Sequence, residues 1–279
     1  MSRRRFLSWL LAPRGLDDAR ALARSVGGKR VLLTGASFGI GRALALRLGA
    51  ANAHVILLAR TRDQLQQAMD TITAAGGTAS VLALDLTDAA AIDAALPGLA
   101  SQDIDVVIHN AGKSIRRLLA ESLDRPRDFQ RTMSVNYLGP VRLQLGLLGG
   151  MMARGHGHVI NVSSVGVRLP PAPRWAAYSA SKAAFDHWMQ AARPELRRAG
   201  IACTSIYLGL VHTRMSAPTA AYAQMPGLTD DEAAAVVCRA LVKRPCTIQP
   251  WWVAPLRVLA PWFEGTLDRV WVVLLRGRP

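Results

Sequence analysis

The sequence predicts an α/β fold: a doubly wound parallel sheet of about seven strands with helices on both faces, followed by an apolar helical tail. Three observations lead to this prediction. Short apolar runs alternate with longer segments of helical spacing. These runs are apolar throughout, which is typical of parallel strands buried on both faces. A glycine-rich turn connects the first run to the first long helix.

Each element follows from this alternation in chain order. The first strand, 31–33, precedes the glycine-rich turn, and a helix at 40–48 follows it. Pro194 predicts a kink or loosened last turns in the helix that contains it, and Thr229 suits a helix start. The other predicted strands are 54–59, 80–84, 105–109, 159–162 and 201–208, and the other predicted helices are 61–75, 88–96, 128–154, 177–198 and 229–243.

The length of 279 residues and the 51% hydrophobic content fit one such domain. No linker or internal repeat divides the middle of the chain. We therefore predict a basic N-terminal extension (1–27), one domain (28–250) and an apolar C-terminal tail (251–279).

The formal net charge of +15 has several interpretations. It can reflect a solvated arginine-rich surface, attraction to anionic ligands such as nucleotide phosphates, or attraction to an anionic membrane. No zinc-finger spacing, RNA-binding aromatic motif or dense basic tract is present, so no nucleic-acid partner is expected.

The cysteines and histidines indicate no disulfide framework and no metal site. Cys203, Cys238 and Cys246 are far apart and odd in number, which favours a reducing, cytoplasmic location. The histidines lack metal-ligand spacing, and His156 and His158 are interpreted as loop residues.

Both ends of the chain leave membrane contact open. The arginine-rich start at 2–7 resembles an export signal, but its apolar stretch is too short, so export is not expected. The tryptophan-rich tail is interrupted by prolines and charges and does not reach the roughly 20 apolar residues of a membrane span. Its helices are interpreted either as packing over a substrate pocket or a subunit interface, or as touching a membrane surface.

The first strand runs directly into the turn T-G-A-S-F-G-I-G, 34–41. Gly35 permits the sharp turn, Gly39 lets the backbone approach a pyrophosphate, and Gly41 lets helix and strand pack closely. The following helix N-terminus offers N–H groups to phosphates. The dinucleotide-binding residues predicted here are Gly35, Ser37, Phe38, Gly39, Ile40 and Gly41.

The end of the second strand predicts NADP(H) rather than NAD. An acidic residue there would bind a ribose 2′-hydroxyl, whereas this chain has Arg60, which can pair with a 2′-phosphate with help from Ser37 and Arg62. Residues after the third and fourth strands complete the predicted cofactor site: Asp85 and Leu86, then Asn110, Ala111 and Gly112.

A Tyr and a Lys share one helical face downstream. Tyr178 and Lys182 stand at i and i+4, where an ammonium is expected to lower the tyrosine pKa from its usual value near ~10. Ser163 and Ser164 end the fifth strand, where a hydroxyl can bond a developing oxyanion. Asn136 is a polar residue within an apolar helix and needs a partner, for which a water chain towards Lys182 is one candidate.

Together these motifs resemble the short-chain dehydrogenase/reductase family over roughly 29–215. The resemblance implies a Rossmann-like domain, an NADP(H)-dependent oxidoreductase and a dimer or tetramer. It implies Tyr178 as general acid, Lys182 as the residue that lowers its pKa and binds the nicotinamide ribose, Ser164 as the carbonyl-polarising hydroxyl and Asn136 as support for proton relay. Gly209, Val211 and Thr213 match the cofactor-binding segment after the sixth strand.

Two departures from the family pattern stand out. Ser164 lies 14 residues before Tyr178, about one more than usual in the family, so Ser163 is the alternative serine. Leu208 precedes Gly209 where the family has proline.

A narrower resemblance concerns the segment A-G-K-S-I-R-R, 111–117, which is similar to that of bacterial fatty acyl-CoA reductases in this family. It implies reduction of a long-chain acyl-CoA thioester to a hemithioacetal that expels CoA and leaves the aldehyde. Arg116 and Arg117 then meet CoA phosphates or form a structural turn. The alternatives are an NADPH-dependent reductase of ketones, 3-oxoacyl thioesters or hydroxysteroids, and a non-catalytic dinucleotide-binding or membrane-associated protein.

Overall fold

The structure, a computed structural model, describes residue 7 and residues 10–276. The arginines at 3–5 that prompted the comparison with an export signal lie outside the described residues. Within the described part of the chain, seven parallel strands form one sheet. They are β1 (Arg30–Thr34), β2 (His54–Ala59), β3 (Thr78–Ala83), β4 (Val106–His109), β5 (Gly157–Ser164), β6 (Ile201–Leu208) and β7 (Thr247–Ile248).

The strand order β3-β2-β1-β4-β5-β6-β7 confirms the predicted doubly wound sheet. The order reverses between β1 and β4, and ligands of such sheets bind in the crevice beyond the carboxyl ends of the strands at that point. The two-residue β7 is the one strand that the sequence pattern did not locate. It pairs with β6 from Ser205↔Thr247 to Ile206↔Ile248.

Helices cover both faces of the sheet. They are α1 (Ala19–Val26), α2 (Gly39–Ala50), α3 (Arg62–Ala74), α4 (Ala89–Ala100), α5 (Pro126–Met133), α6 (Gly139–Arg154), α7 (Ala176–Arg198), α8 (Asp230–Lys243), α9 (Val253–Leu259) and α10 (Glu264–Arg276). Residues of α1, α2, α3 and α8 form the core on one face, and residues of α4, α6 and α7 form it on the other.

Local sequence explains several helix ends. Thr229 accepts the Glu232 backbone N–H, and the Glu232 carboxylate accepts the Thr229 backbone N–H, which is a capping box. Asp88 caps α4 through a single hydrogen bond, in which its carboxylate accepts the Ala91 N–H. Helix α7 runs through Pro194 to Arg198.

Two predictions about local structure were wrong. His158 is not a loop residue: it is buried in β5 and its Nε2 lies 2.9 Å from the Thr204 hydroxyl oxygen. Gly155 and Gly157, which precede it, are typical of turns, and they led to the wrong prediction at the start of this strand. The predicted helix 128–154 is not continuous either, because a π-helical turn (Ser134–Leu138) separates α5 from α6.

The predicted N-terminal extension contains part of the core. Leu22 and Val26 of α1 are buried against α2 and α8, and the Leu16 N–H donates to the Ala235 carbonyl. The boundaries at 27/28 and 250/251 remain predictions.

Helices α9 and α10 form the tail, joined by a 3₁₀ turn (Ala260–Phe263). Over the described residues, every helix is too short or too polar to cross a bilayer.

Candidate active site

The glycine-rich turn has a backbone that favours glycine. Gly35 and Gly39 have positive φ angles of 70° and 52°. A Cβ on Gly41 would lie 2.0 Å from the Gly35 carbonyl oxygen, and a Cβ on Gly35 would lie 2.8 Å from the Ala111 Cα. The predicted turn and close helix–strand packing are therefore both present.

The N-terminus of α2 is open to an anion. Phe38 is the N-cap residue and makes no side-chain hydrogen bond, and the first turn contains no acidic residue. Because the first N–H groups of a helix lack intrahelical partners, this turn can accept a phosphate. Ser37 and Ile40 flank it, half-buried.

The segment after β6 folds against the same turn. The Thr213 methyl group lies 3.1 Å from where a Gly39 Cβ would be, and the Arg214 guanidinium lies 4.8 Å from the centre of the Phe38 ring. Val211 bridges to Leu228, while Gly209 is exposed. The predicted cofactor segment thus lies beside the glycine turn.

Arg60 lies at the end of β2 with a 61% exposed side chain, 3.9 Å from the Asp85 carboxylate. Asp85 also accepts the Thr87 N–H and hydroxyl, and Leu86 is buried. Partial burial lowers the pKa of Lys113, and the nearby charges of Arg131 and Arg60 lower it further. Arg60 is therefore one of several cations at this edge, which suits a phosphate.

Asn110 ties β4 to the glycine turn. Its Nδ2 donates to the Thr34 carbonyl at 3.1 Å and to the Gly35 carbonyl at 3.2 Å. The Thr34 hydroxyl accepts the Asn110 and Ala111 N–H groups, both at 3.0 Å. Thr34 is a site-forming residue that the sequence analysis did not single out, although the first position of the turn motif was the available signal.

Tyr178 lies on the first turn of α7, and Ser164 at the end of β5 is near enough to lower the pKa of its phenol. The Ser164 oxygen also accepts the Gly166 N–H at 3.3 Å. Ser163 points elsewhere: its hydroxyl is buried and has no partner among the described residues. Of the two predicted serines, Ser164 is the one that contacts Tyr178.

Lys182 and Asn136, the other two predicted catalytic residues, both lie close to Gly112. The Lys182 ammonium donates to the Val162 carbonyl at 3.1 Å. Both Lys182 Nζ and Asn136 Oδ1 approach Gly112, where an added Cβ would lie 3.4 Å from the first atom and 3.3 Å from the second. Gly112 therefore gives the backbone and these two polar groups room to meet.

Asn136 has direct partners that the sequence could not name. Its Oδ1 accepts the Lys113 N–H at 2.8 Å, and its Nδ2 donates to the Lys113 carbonyl and the Ser181 hydroxyl, both at 2.9 Å. Asn136 lies in the π-helical turn, which is a frequent feature of functional sites. The turn directs this side chain between the β4 loop and α7.

The expected lowering of the Tyr178 pKa by Lys182 was wrong. Burial raises the pKa of Tyr178 above its usual value, the hydrogen bond with Ser164 lowers it, and the nearby Tyr222 phenol raises it. Burial also lowers the pKa of Lys182 to about 8. Removal from water disfavours the charged form of each group, and Lys182 is not among the groups that shift the pKa of Tyr178.

Two aromatic residues complete the surroundings of Tyr178. The Trp175 ring meets the Tyr178 ring edge-on, with centroids 5.8 Å apart, and stacks on Tyr222 at 6.2 Å. Neither residue was predicted from the sequence. The position of Trp175 three residues before Tyr178 was a usable signal, whereas Tyr222 is brought in only by tertiary folding.

The two arginines proposed for CoA phosphates have different surroundings. Arg117 donates to the Asp128 carboxylate at 2.9 Å, and its backbone N–H donates to the Arg174 carbonyl, so it holds the turn together. Arg116 is exposed, and its positive charge lowers the pKa of the Tyr222 phenol, which burial raises. Arg116 is therefore the better candidate for an anion contact.

Among the described residues, no group of three or more His, Cys, Asp or Glu side chains is placed to hold a metal ion.

Comparison with known proteins places these features in a family. The profile of the short chain dehydrogenase family matches residues 29–223. A fatty acyl-CoA reductase of Acinetobacter baylyi is 49% identical over 223 residues, which cover 79% of this chain and 75% of the relative. A fatty acyl-CoA reductase of Mycobacterium tuberculosis is 46% identical over 225 residues, covering 80% and 76%.

A solved structure shares the fold. A metagenomic short-chain oxidoreductase in complex with NADP superposes with a TM-score of 0.68 at 31% identity, covering 78% of this chain and 92% of that protein.

Proposed function

We propose, from the premise that this chain belongs to the short-chain dehydrogenase family and is an oxidoreductase, that it uses NADPH to reduce the thioester carbonyl of a long-chain acyl-CoA to the aldehyde. The observation that carries the proposal is the placement of Tyr178 near enough to Ser164 for that hydroxyl to lower its pKa, on the same helix as Lys182 and one turn before it, at the carboxyl edge of the sheet.

The residues present fit NADP(H). The positive φ angles of Gly35 and Gly39 and the uncapped start of α2 suit a pyrophosphate, and Arg60 suits a 2′-phosphate. The solved relative with NADP supports the same choice. Asp85, Leu86, Asn110, Ala111, Gly112, Gly209, Val211 and Thr213 would complete the cofactor site.

The cofactor assignment can be tested at Arg60. We expect Arg60→Glu to raise the KM for NADPH about tenfold or more, because a charge pair with the 2′-phosphate is replaced by repulsion. The KM for NADH should rise much less. Equal effects on both cofactors would contradict the role of Arg60.

The chain's own residues would protonate the substrate carbonyl oxygen and stabilise the negative charge that develops on it. NADPH, when bound, supplies the hydride. Tyr178 would donate its phenolic proton to the carbonyl oxygen, and its raised pKa keeps that proton in place at neutral pH. Ser164 would donate a hydrogen bond to the same oxygen. Lys182 and Asn136 would hold the ribose and the proton path. As the carbon–sulfur bond of the resulting hemithioacetal breaks, its hydroxyl proton would pass to the CoA sulfur, which releases the CoA thiol and the aldehyde.

The choice of an acyl-CoA rests on the surroundings of Tyr178 and on the names of the relatives. Trp175 and Tyr222 offer an apolar wall, and Met215 and Met225 are exposed on the same loop region. Arg116 near Tyr222 suits a CoA phosphate. Two relatives at 46–49% identity carry the name fatty acyl-CoA reductase.

Purified protein should consume NADPH with palmitoyl-CoA and release free CoA and hexadecanal. Tyr178→Phe should lower kcat by about 10²–10⁴-fold while NADPH still binds. If palmitoyl-CoA yields no free CoA while a panel of ketones is reduced, the enzyme is instead a carbonyl reductase. If neither substrate class is reduced and Tyr178→Phe changes nothing, the catalytic assignment fails.

The oligomer and the location also remain proposals. Leu138, Leu145 and Met152 repeat every seven residues and are exposed along one side of α6 and the preceding π-turn, which supports a homodimer or tetramer. The free cysteines among the described residues support a cytoplasmic location.

A further inference from the structure

The tail exposes large apolar side chains to solvent. Val272 and Leu275 are exposed on another side of α10; the other exposed large apolar residues of α9, α10 and the turn between them are called the tail surface: Leu256, Val258, Leu259, Trp262, Phe263, Val270, Val273 and Leu274. Trp262 is 84% exposed and Val258 is 69% exposed. A contiguous apolar patch of this kind usually marks an interaction site.

Helix α10 is amphipathic, and its apolar side faces outward. Phe263, Leu267, Val270 and Leu274 follow at intervals of four, three and four, which places them on one side. Glu264, Asp268 and Arg269 lie on the opposite side. In most globular proteins such a stripe packs on the core, whereas here Phe263, Val270 and Leu274 are exposed and only Leu267 is half-buried.

The tail is attached to the folded domain at its start. Val253 is fully buried. The indole nitrogens of Trp251 and Trp252 donate to the carbonyls of Leu10 and Leu11, at 3.0 and 2.8 Å. Because Leu10 and Leu11 are themselves exposed, the N-terminal segment contributes further apolar side chains near the same place.

The size and charge of the molecule favour one occupant. Helix α10 has 13 residues, about 20 Å at 1.5 Å per residue, which suits lying in a bilayer interface and not crossing it. The chain carries a net charge of +15, although on the tail itself the exposed Arg257 and Arg269 are balanced by the exposed Glu264 and Asp268. An anionic lipid surface attracts the net positive charge of the molecule.

We propose that the tail surface docks on an anionic phospholipid bilayer, with α10 lying in the interface and its Phe263–Val270–Leu274 side buried among the lipid chains. This inference concerns the tail alone and does not depend on the substrate of the active site.

Flotation with vesicles tests it on the full chain. We expect wild type to bind vesicles containing about 30% phosphatidylglycerol at least about tenfold more strongly than pure phosphatidylcholine, and to be released partly by about 1 M salt. Val270→Gln with Leu274→Gln should lower binding about tenfold, since two apolar side chains leave the lipid.

Val272→Gln with Leu275→Gln is the matched control, because it changes the same residue types on the same helix without changing the charge. Val272 is 49% exposed and Val270 is 47% exposed, but Val272 lies on the other side of α10. The control should keep its binding within about threefold.

Three outcomes would overturn the proposal. Wild type could remain unbound to anionic vesicles at low salt, or the control could lose as much binding as the stripe variant. The stripe substitutions could also leave vesicle binding intact but dissociate an oligomer, which would identify a second copy as the occupant. Unchanged thermal unfolding of both variants ensures that a loss of binding is not a loss of folding.

Discussion

Two adjacent residues of a strand can have different surroundings, because successive side chains point to opposite faces of the sheet. The hydroxyls of Ser163 and Ser164 differ in this way: Ser164 lowers the pKa of the nearby Tyr178, whereas the Ser163 hydroxyl is buried without a partner among the described residues. A serine that bonds the developing oxyanion contributes to the transition state, whereas a buried hydroxyl without a partner does not.

We therefore expect Ser164→Ala to lower kcat about 10²–10³-fold, and Ser163→Ala to change it less than about fivefold, in steady-state assays with NADPH and the accepted carbonyl substrate. The melting temperatures of the two variants serve as the control for folding. A comparable loss in Ser163→Ala would mean that Ser163 meets the carbonyl.

Lys182 is the second residue whose environment sets its behaviour. Its pKa falls from 10.5 to about 8 on burial, so the unfolded chain binds more protons between those values. The free energy of unfolding should therefore rise with pH across that interval. Below about pH 8 the folded protein bears the full cost of a buried ammonium, up to about 3 kcal/mol.

Cofactor-free Lys182→Met should accordingly be more stable than wild type near about pH 7, with a difference that shrinks towards about pH 10.5. Urea unfolding at several pH values measures this difference, and titrations common to both proteins cancel. A difference that stays constant over the interval would contradict a depressed lysine pKa.

At the scale of elements, the connection between β1 and α2 leaves no room for a side chain at Gly41. An added Cβ would lie 2.0 Å from the Gly35 carbonyl oxygen and 2.7 Å from the Asn110 Nδ2. Gly98 in α4 differs, because nothing lies within 4 Å of its added Cβ. Substituting alanine at Gly41 therefore tests a steric requirement, whereas the same substitution at Gly98 tests helix propensity alone.

Gly41→Ala should destabilise the fold by about 1–3 kcal/mol and weaken NADPH binding, because the turn must move. Gly98→Ala should stabilise it by about 0.5–1 kcal/mol, because alanine is the better helix former. Denaturant unfolding and NADPH fluorescence titration measure both effects. A neutral Gly41→Ala would show that the turn tolerates a shift.

At the scale of the whole molecule, the exposed stripe on α6 predicts assembly. Leu145 is 56% exposed between Leu138 and Met152. Burying such a stripe against a second copy is the usual solution for an apolar helix side. Leu123 is 82% exposed but lies outside the stripe, and it provides a control.

Leu145→Glu should convert a dimer or tetramer to a smaller species, because a charge would be buried in the interface. Leu123→Glu should leave the mass unchanged. Light scattering after size-exclusion chromatography measures the mass. An assembly that survives Leu145→Glu would show that this stripe is not the interface.

The sequence by itself determined the doubly wound parallel sheet, the glycine turn and the placement of Tyr178 and Lys182 one turn apart on one helix. Each of these depends on short-range rules: the periods of strands and helices, the positive φ angles that glycine permits, and the i, i+4 spacing. Such rules act within a few residues, so the patterns they produce can be recognised in the sequence alone.

Only the tertiary structure decided which serine meets Tyr178, which groups satisfy Asn136, that His158 is buried in β5, and that Trp175 stacks on Tyr222. It also reversed the expected direction of the Tyr178 pKa. These outcomes depend on contacts between residues far apart in the chain and on how much water each group loses, and burial is a property of the packed whole.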